Sequence, residues 1–311
     1  MSDYSVSDLS SEEIGEMPVS GDKQELKLNS VIYATDFSLC SQNAGAYALQ
    51  IAEYFSANLL IVHAFTLSQA AMEVEAAKLL ESAQRKDLQI LLSKKASLLT
   101  TQRAHALPML LEGDPKEVIP LLADVHSPSL VVLGTHGGGR VDHGILGSVA
   151  ERILRSTNWP ALTVGPLVKP ASSTTFPFQK ILLATDFSSA AAHAATFAVF
   201  FAEALGASID ILNVIHGDDI DRPGRLLELK SQFFNSLGGL VPKQAREFCD
   251  PKTYVVVGKA HDQILKHVRE RSIDLLVLGI RKTSHLSMEM RTSGAFRLIA
   301  DAECPVLTIR R

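Results

Sequence analysis

The chain has 311 residues, 46% of them hydrophobic and 21% charged, with a formal net charge of -4. That length suits about two domains of roughly 150 residues each, and the apolar content is ample for packed cores. The small negative charge excludes a global field that would draw in nucleic acid or an anionic membrane. The most apolar long segment, residues 190–207, carries His193 and Glu203 and is too short to predict a bilayer span.

Residues 1–27 are Ser-rich and acidic, with neither a basic start nor an apolar stretch. They read as a disordered tail rather than a secretory signal, and the chain is expected to be cytoplasmic. Its three cysteines, Cys40, Cys249 and Cys304, lie far apart without metal-ligand spacing and read as reduced thiols. From residue 31 onward, short apolar runs alternate with segments of helical period. Strands are predicted at 31–35, 58–64, 105–111, 130–134 and 161–164. Helices are predicted at 40–55, 68–103, 115–123 and 147–157. The strands are β-branched and uninterrupted, the pattern of strands buried on both faces. This predicts an α/β fold, a doubly wound parallel sheet with helices on both sides.

The chain is then written a second time. "VIYATDFS" at 31–38 returns as "ILLATDFS" at 181–188, offset by 150 residues. "LVVLGTHG" at 130–137 returns as "LLVLGIRK" at 275–282, and "WPALTVG" at 159–165 as "CPVLTIR" at 304–310, both offset by 145. Two tandem domains follow, 28–166 and 180–311, joined by a Pro/Ser/Thr-rich linker at 167–179. The second copy repeats the order of elements, with its second helical region broken near Gly238-Gly239.

Candidate chemistry gathers behind the first and fourth strands, because open parallel sheets bind ligands beyond the carboxyl ends of their strands. Asp36 follows the first strand, and a glycine cluster follows the fourth. Glycines let backbone approach a ligand, and consecutive N–H groups with a helix N-terminus favour anions. A dinucleotide GxGxxG is excluded, since "DFSLCSQ" stands where it would lie. A P-loop is disfavoured by Arg140 and Val141 in place of its Lys and hydroxyl. What remains is G-x2-G-x9-G-S, formed by Gly134, Gly137, Gly147 and Ser148. Asp36 suits a ribose hydroxyl, and the loop with Ser148 suits phosphates.

ATDFS together with G-x2-G-x9-G-S-V, followed by a Pro-headed final strand, resembles the universal stress protein family from about residue 28 to 311. The resemblance implies five-stranded parallel sheets of order 3-2-1-4-5, one per domain. It also implies ATP binding, with or without Mg2+, in members that keep the glycine motif. Carried over by position, Ala34, Thr35 and Asp36 would line adenine and ribose, and Ala64 would offer backbone to adenine. Leu133, Gly134, His136, Gly137, Gly147, Ser148 and Val149 would hold ribose and phosphates, with Arg140 inside the spacer within reach of a phosphate. Family members commonly dimerise through the final strand. The two halves could therefore form an intramolecular pseudo-dimer, and two chains a homodimer.

The second copy departs from this pattern. Gly279, Ser293 and Asp186 match Gly134, Ser148 and Asp36, but Lys282 and Thr292 replace Gly137 and Gly147. One nucleotide per chain is expected, in the first domain, with Arg281 and Lys282 as compensating phosphate charges in the competing reading. Asp36 and Asp186 are also candidate N-caps. His63, His136 and His143 lack metal spacing and read as solvated or loop residues. Trp159 reads as loop packing. No base stands beside Ser148, so the favoured function is a nucleotide-dependent stress-response regulator. A slow ATPase or phosphotransferase and a nucleotide-free scaffold are the alternatives.

Overall fold

The computed structural model describes residues 27–66, 75–137, 145–171, 178–217, 220, 222, 224–242, 245–281 and 294–311. The first domain runs β1 (Ser30–Ala34), α1 (Leu39–Phe55), β2 (Asn58–Phe65), α2 (Glu75–Leu99), β3 (Ala106–Glu112), α3 (Pro115–Val125), β4 (Ser129–Gly134), α4 (Ser148–Ser156) and β5 (Ala161–Val164). Its strands lie in the order β3-β2-β1-β4-β5. The pairs β1–β2, β1–β4 and β2–β3 are all parallel. Val31, Ile32, Tyr33, Ile61, Val62, Val131 and Val132 are wholly buried, as expected for strands covered on both faces.

The second domain repeats the plan. It runs β6 (Lys180–Ala184), α5 (Ser189–Leu205), β7 (Ser208–Ile215), α6 (Arg225–Gly239), α7 (Arg246–Cys249), β8 (Lys252–Val257), α8 (Ala260–Arg271), β9 (Leu275–Ile280), α9 (Gly294–Asp301) and β10 (Val306–Arg310). The order is β8-β7-β6-β9-β10, with parallel pairing from β8 through to β10. The break expected near Gly238-Gly239 is the end of α6. The α/β class and the 3-2-1-4-5 order are thus both observed. No helix among the described residues is long and apolar enough to cross a membrane.

The repeated ATDFS has a local reason. Thr35 Oγ1 accepts from Phe37 N at 3.1 Å, and Asp36 Oδ1 accepts from Ser38 N at 3.0 Å. Ser38 Oγ then caps α1 by accepting from Ser41 N at 3.2 Å. Phe37 between them adopts φ 63, the left-handed region that a non-glycine residue enters only when its neighbours hold it there. The second copy matches bond for bond: Thr185 Oγ1 to Phe187 N, Asp186 Oδ1 to Ser188 N, and Ser188 Oγ to Ala191 N, with Phe187 at φ 58. The N-caps are therefore Ser38 and Ser188. The aspartates instead brace the turn one step earlier, a role that keeps them in both copies whether or not a ligand binds.

Candidate functional site

Parallel pairing sets Ala34 of β1 against Leu133 of β4, so the turn carrying Asp36 and the loop that follows Gly134 leave the sheet side by side. The three motif glycines then differ in what they face. A Cβ at Gly134 would lie 2.9 Å from Ser41 N and 3.0 Å from the Cys40 carbonyl carbon, so this glycine lets β4 pack against the first turn of α1. Gly279, its counterpart, likewise lies against the backbone of Ala190 and Ala191 at the start of α5. A Cβ at Gly147 would lie 2.8 Å from the Thr135 carbonyl oxygen, which accepts from Gly147 N at 2.9 Å. Only Gly137 faces a candidate ligand group: a Cβ there would lie 2.6 Å from Asp36 Oδ2.

Asp36 is exposed, and its two oxygens divide their work. Oδ1 accepts from the Ser38 amide and from the Ser38 hydroxyl, the latter at 2.6 Å. Oδ2 is turned toward Gly137. Burial acts to raise the Asp36 pKa, but the hydrogen bonds from Ser38 outweigh it and hold the carboxyl below its ordinary range. At neutral pH the group is a charged acceptor, suited to a hydroxyl donor. α4 begins with Gly147 as N-cap, its amide bonded to the Thr135 carbonyl just after β4, with no side-chain cap bond, and Ser148 at its first position is exposed. Its first amides and the positive end of its dipole are therefore available to an anion.

The remaining candidates fall into three groups. Ala34, Thr35 and Leu133 are buried, and the Thr35 hydroxyl is spent inside the turn, so these residues can offer a ligand backbone alone. Ala64 is half-buried near the end of β2, and Val149 is exposed on α4. Arg140 lies outside the described residues, as do His143, Lys282, Thr292 and Ser293. His136 is 8% exposed, with Nδ1 2.8 Å from Thr135 Oγ1 and Nε2 buried without a partner among the described residues.

His136 lies in the loop after β4, as expected, but is buried there, while His63 is half-buried on a strand rather than in a loop. His63 sits on β2 with Nδ1 2.7 Å from the Thr35 carbonyl, and the Phe37 ring is 4.8 Å from its own. A carbonyl only accepts, so Nδ1 carries the proton. Asn213 does the same in the second domain, donating from Nδ2 to the Thr185 carbonyl at 2.9 Å. The repeat alignment pairs residue 63 with 213, which was the available signal that this position braces the turn. In the second domain Arg281, the counterpart of His136, donates from Nη2 to Asp186 Oδ2 at 2.8 Å. The second carboxylate is therefore occupied by the chain's own guanidinium, and Arg281 is directed at Asp186 rather than held out for a phosphate.

The profile of the universal stress protein family matches residues 27–165 and again residues 177–310. The chain belongs to the universal stress protein family. It carries two family domains in tandem. A universal stress protein of Thermus aquaticus is 30% identical over 140 residues, covering 43% of this chain and 97% of that protein. Another, of Methanocaldococcus jannaschii, is 27% identical over 136 residues, covering 43% of this chain and 80% of that protein. Among solved structures, a universal stress protein from Archaeoglobus fulgidus superposes with a TM-score of 0.68 at 19% identity, covering 92% of this chain and all of that one. That likeness supports the fold of this universal stress protein, while its site rests on the residues above.

The thiols of this universal stress protein differ in the same residue-by-residue way. Cys249 and Cys304 are buried, and burial pushes the Cys304 thiol up to about 12 and the Cys249 thiol upward. Cys40 is half-exposed beside the site, 3.9 Å from Thr135 Oγ1. A thiol-specific reagent should therefore modify Cys40 alone in the native protein and all three cysteines after denaturation. A native count of two or three would show that the second-domain core opens on the labelling timescale.

Proposed function

We propose that the first domain binds one adenine nucleotide, ATP in the first instance, and that binding regulates a cytoplasmic stress response. The observation that carries the reading is the close approach of Gly137 to Asp36 Oδ2, in a loop to whose first residue, Thr135, the uncapped start of α4 is bonded through Gly147 N. It would offer an acceptor for ribose hydroxyls, with the free first amides of α4 as the donors for phosphates. In the second domain the Arg281 guanidinium is bonded to Asp186 Oδ2, an exposed pair that would compete with a ribose hydroxyl for that oxygen. Among the described residues no group of three His, Cys, Asp or Glu side chains could hold a metal, so Mg2+ would be held by the phosphates rather than by a protein cage. The regulatory reading is preferred to turnover because Ser148 is exposed and has no side-chain base bonded to it among the described residues. We further propose that the two domains act as an intramolecular pseudo-dimer, a reading that rests on the tandem repeat alone.

The test is denaturing release of co-purified nucleotide, followed by calorimetric titration of the emptied protein with ATP. The expected stoichiometry is one per chain, with a change in Trp159 fluorescence. This residue is the chain's one tryptophan, buried between α4 and β5 in the chain with Nε1 donating to Asp124 Oδ1 of α3 at 2.8 Å. Two nucleotides per chain would overturn the assignment of the site to the first domain alone. No uptake at millimolar ATP would overturn the nucleotide reading itself.

A further inference from the structure

The turn that carries Asp36 is braced twice over in the first domain and only once in the second. Below the shared Thr–Phe and Asp–Ser bonds, the Tyr33 hydroxyl donates to the Ser41 carbonyl at 2.6 Å and lies 3.2 Å from Thr35 Oγ1. Ser41 Oγ lies 3.1 Å from the same Thr35 Oγ1 and donates to the Ser38 carbonyl at 3.0 Å. The Tyr33 ring is wholly buried against α1 at Gly45, where a Cβ would lie 2.8 Å from the ring carbons. Over that ring stands the Lys95 ammonium of α2, 5.6 Å from its centre. At the matching positions of the second domain stand Leu183, Ala191 and Ala195. Tyrosine, serine and glycine are thus replaced together by apolar residues.

The second domain serves as an internal control. Its turn reaches the same left-handed Phe187, the same Asp186 bond and the same Ser188 cap without a tyrosine or a second serine. The extra network is therefore not needed to form the turn. It is found in the domain whose aspartate faces a glycine, and it is missing in the domain whose aspartate is held by Arg281.

We propose that Tyr33, Ser41 and Lys95 are positioning residues for Asp36, a network that holds its carboxylate at the angle and charge needed to take ribose hydroxyls in the first domain. This rests on the nucleotide reading above and names a part of that site that touches no ligand. The electrostatics agree. Burial pushes the Tyr33 pKa up to about 12, so its hydroxyl stays a neutral donor. Burial lowers the Lys95 pKa while Asp36 acts to raise it, so ammonium and carboxylate sense one another across the network.

Tyr33→Phe tests this, since it keeps the ring against Gly45 and removes the hydroxyl alone. The affinity for ATP should fall about three- to tenfold, the range expected for one lost buried hydrogen bond. Exchange of the backbone amides of Phe37, Ser38 and Ser41 should quicken in the nucleotide-free protein. Lys95→Met, which keeps the aliphatic stem, should also weaken ATP binding, and Lys95→Arg should restore it. A merely structural role predicts a lower unfolding midpoint with unchanged affinity and unchanged exchange around Asp36. That outcome, or an affinity within twofold of the parent protein in both variants, would overturn the proposal. If the parent protein takes up no ATP, the nucleotide reading fails. The exchange measurement then decides the network separately: faster amides in Tyr33→Phe retain it as the brace of Asp36, and unchanged amides remove it.

Discussion

Replacing Gly137 with lysine, the residue that stands at the matching position of the second domain, should weaken ATP binding by about a hundredfold or more. A Cβ at this position would lie 2.6 Å from Asp36 Oδ2, a separation that atoms do not tolerate, so the carboxylate must swing away. The ammonium then has a partner at hand, as Arg281 has in Asp186. Losing two hydrogen bonds to a charged acceptor, at roughly 1.5–3 kcal/mol each, accounts for that factor. The position is exposed and its φ is not in the left-handed region, so the unfolding midpoint should hardly move. Gly134→Ala should behave in the opposite way. Its Cβ would press on the backbone of Cys40 and Ser41, and overpacking of that kind costs about 1–3 kcal/mol of stability. Calorimetry and denaturant titration on the pair of variants separate a ligand-facing glycine from a packing glycine. Full affinity in Gly137→Lys would remove the physical basis of the proposed site.

Asp210→Ala should destabilise the second domain by about 1–3 kcal/mol, the cost of leaving the nearly buried His267 ring without its hydrogen-bond partner, since the half-exposed Arg271 can turn to water. Asp210 on β7 is 6% exposed, and its Oδ2 accepts from His267 Nε2 at 3.1 Å and from Arg271 Nε at 3.3 Å. Both partners project from one face of α8, four residues apart. Tyr254 of β8 completes the cluster, its ring 4.7 Å from that of His267 and 5.5 Å from the Arg271 guanidinium. The first domain solves the same packing problem without charge, with buried Leu60 and Leu122 at the positions of Asp210 and His267. The double variant Asp210→Leu/His267→Leu should therefore recover most of the loss, because the nearly buried partner His267 is removed as well and the half-exposed Arg271 can turn to water. Urea unfolding followed by far-ultraviolet circular dichroism, which reads both domains, should show the loss, with Trp159 fluorescence marking the unfolding of the first. A loss under about 1 kcal/mol for Asp210→Ala would contradict the cluster's role.

The same cluster predicts the sign of the acid response. Burial acts to raise the Asp210 pKa, but hydrogen bonds from His267 and Arg271 and their charges outweigh it, so the folded carboxyl titrates below its ordinary range. A depressed carboxyl contributes stability that is fully present above the ordinary carboxylate range and is lost as the pH falls through the folded value. The second domain of the parent protein should lose this increment in acid, and the double-leucine variant should not.

Much of this was open to the sequence because it is local or periodic. Uninterrupted β-branched runs alternating with helical periods determined the α/β class, and self-similarity at offsets of 150 and 145 determined the tandem plan. Asp36 and the glycine spacing were legible as candidates for the same reason, since ATDFS closes its bonds within seven residues, from Thr35 to Ser41. The tertiary structure decided what those residues face. Gly134 and Gly137 look equivalent in a motif, yet one lies against a helix backbone and the other against a carboxylate, because β4 lies beside β1 although about 100 residues separate them in the chain. Arg281 reaches Asp186 from 95 residues away, and His63 reaches Thr35 from 28. Such contacts depend on strand order and register, which fix which loops emerge together. Hydrophobic periodicity records only that a residue is inside, and leaves its neighbour to the fold.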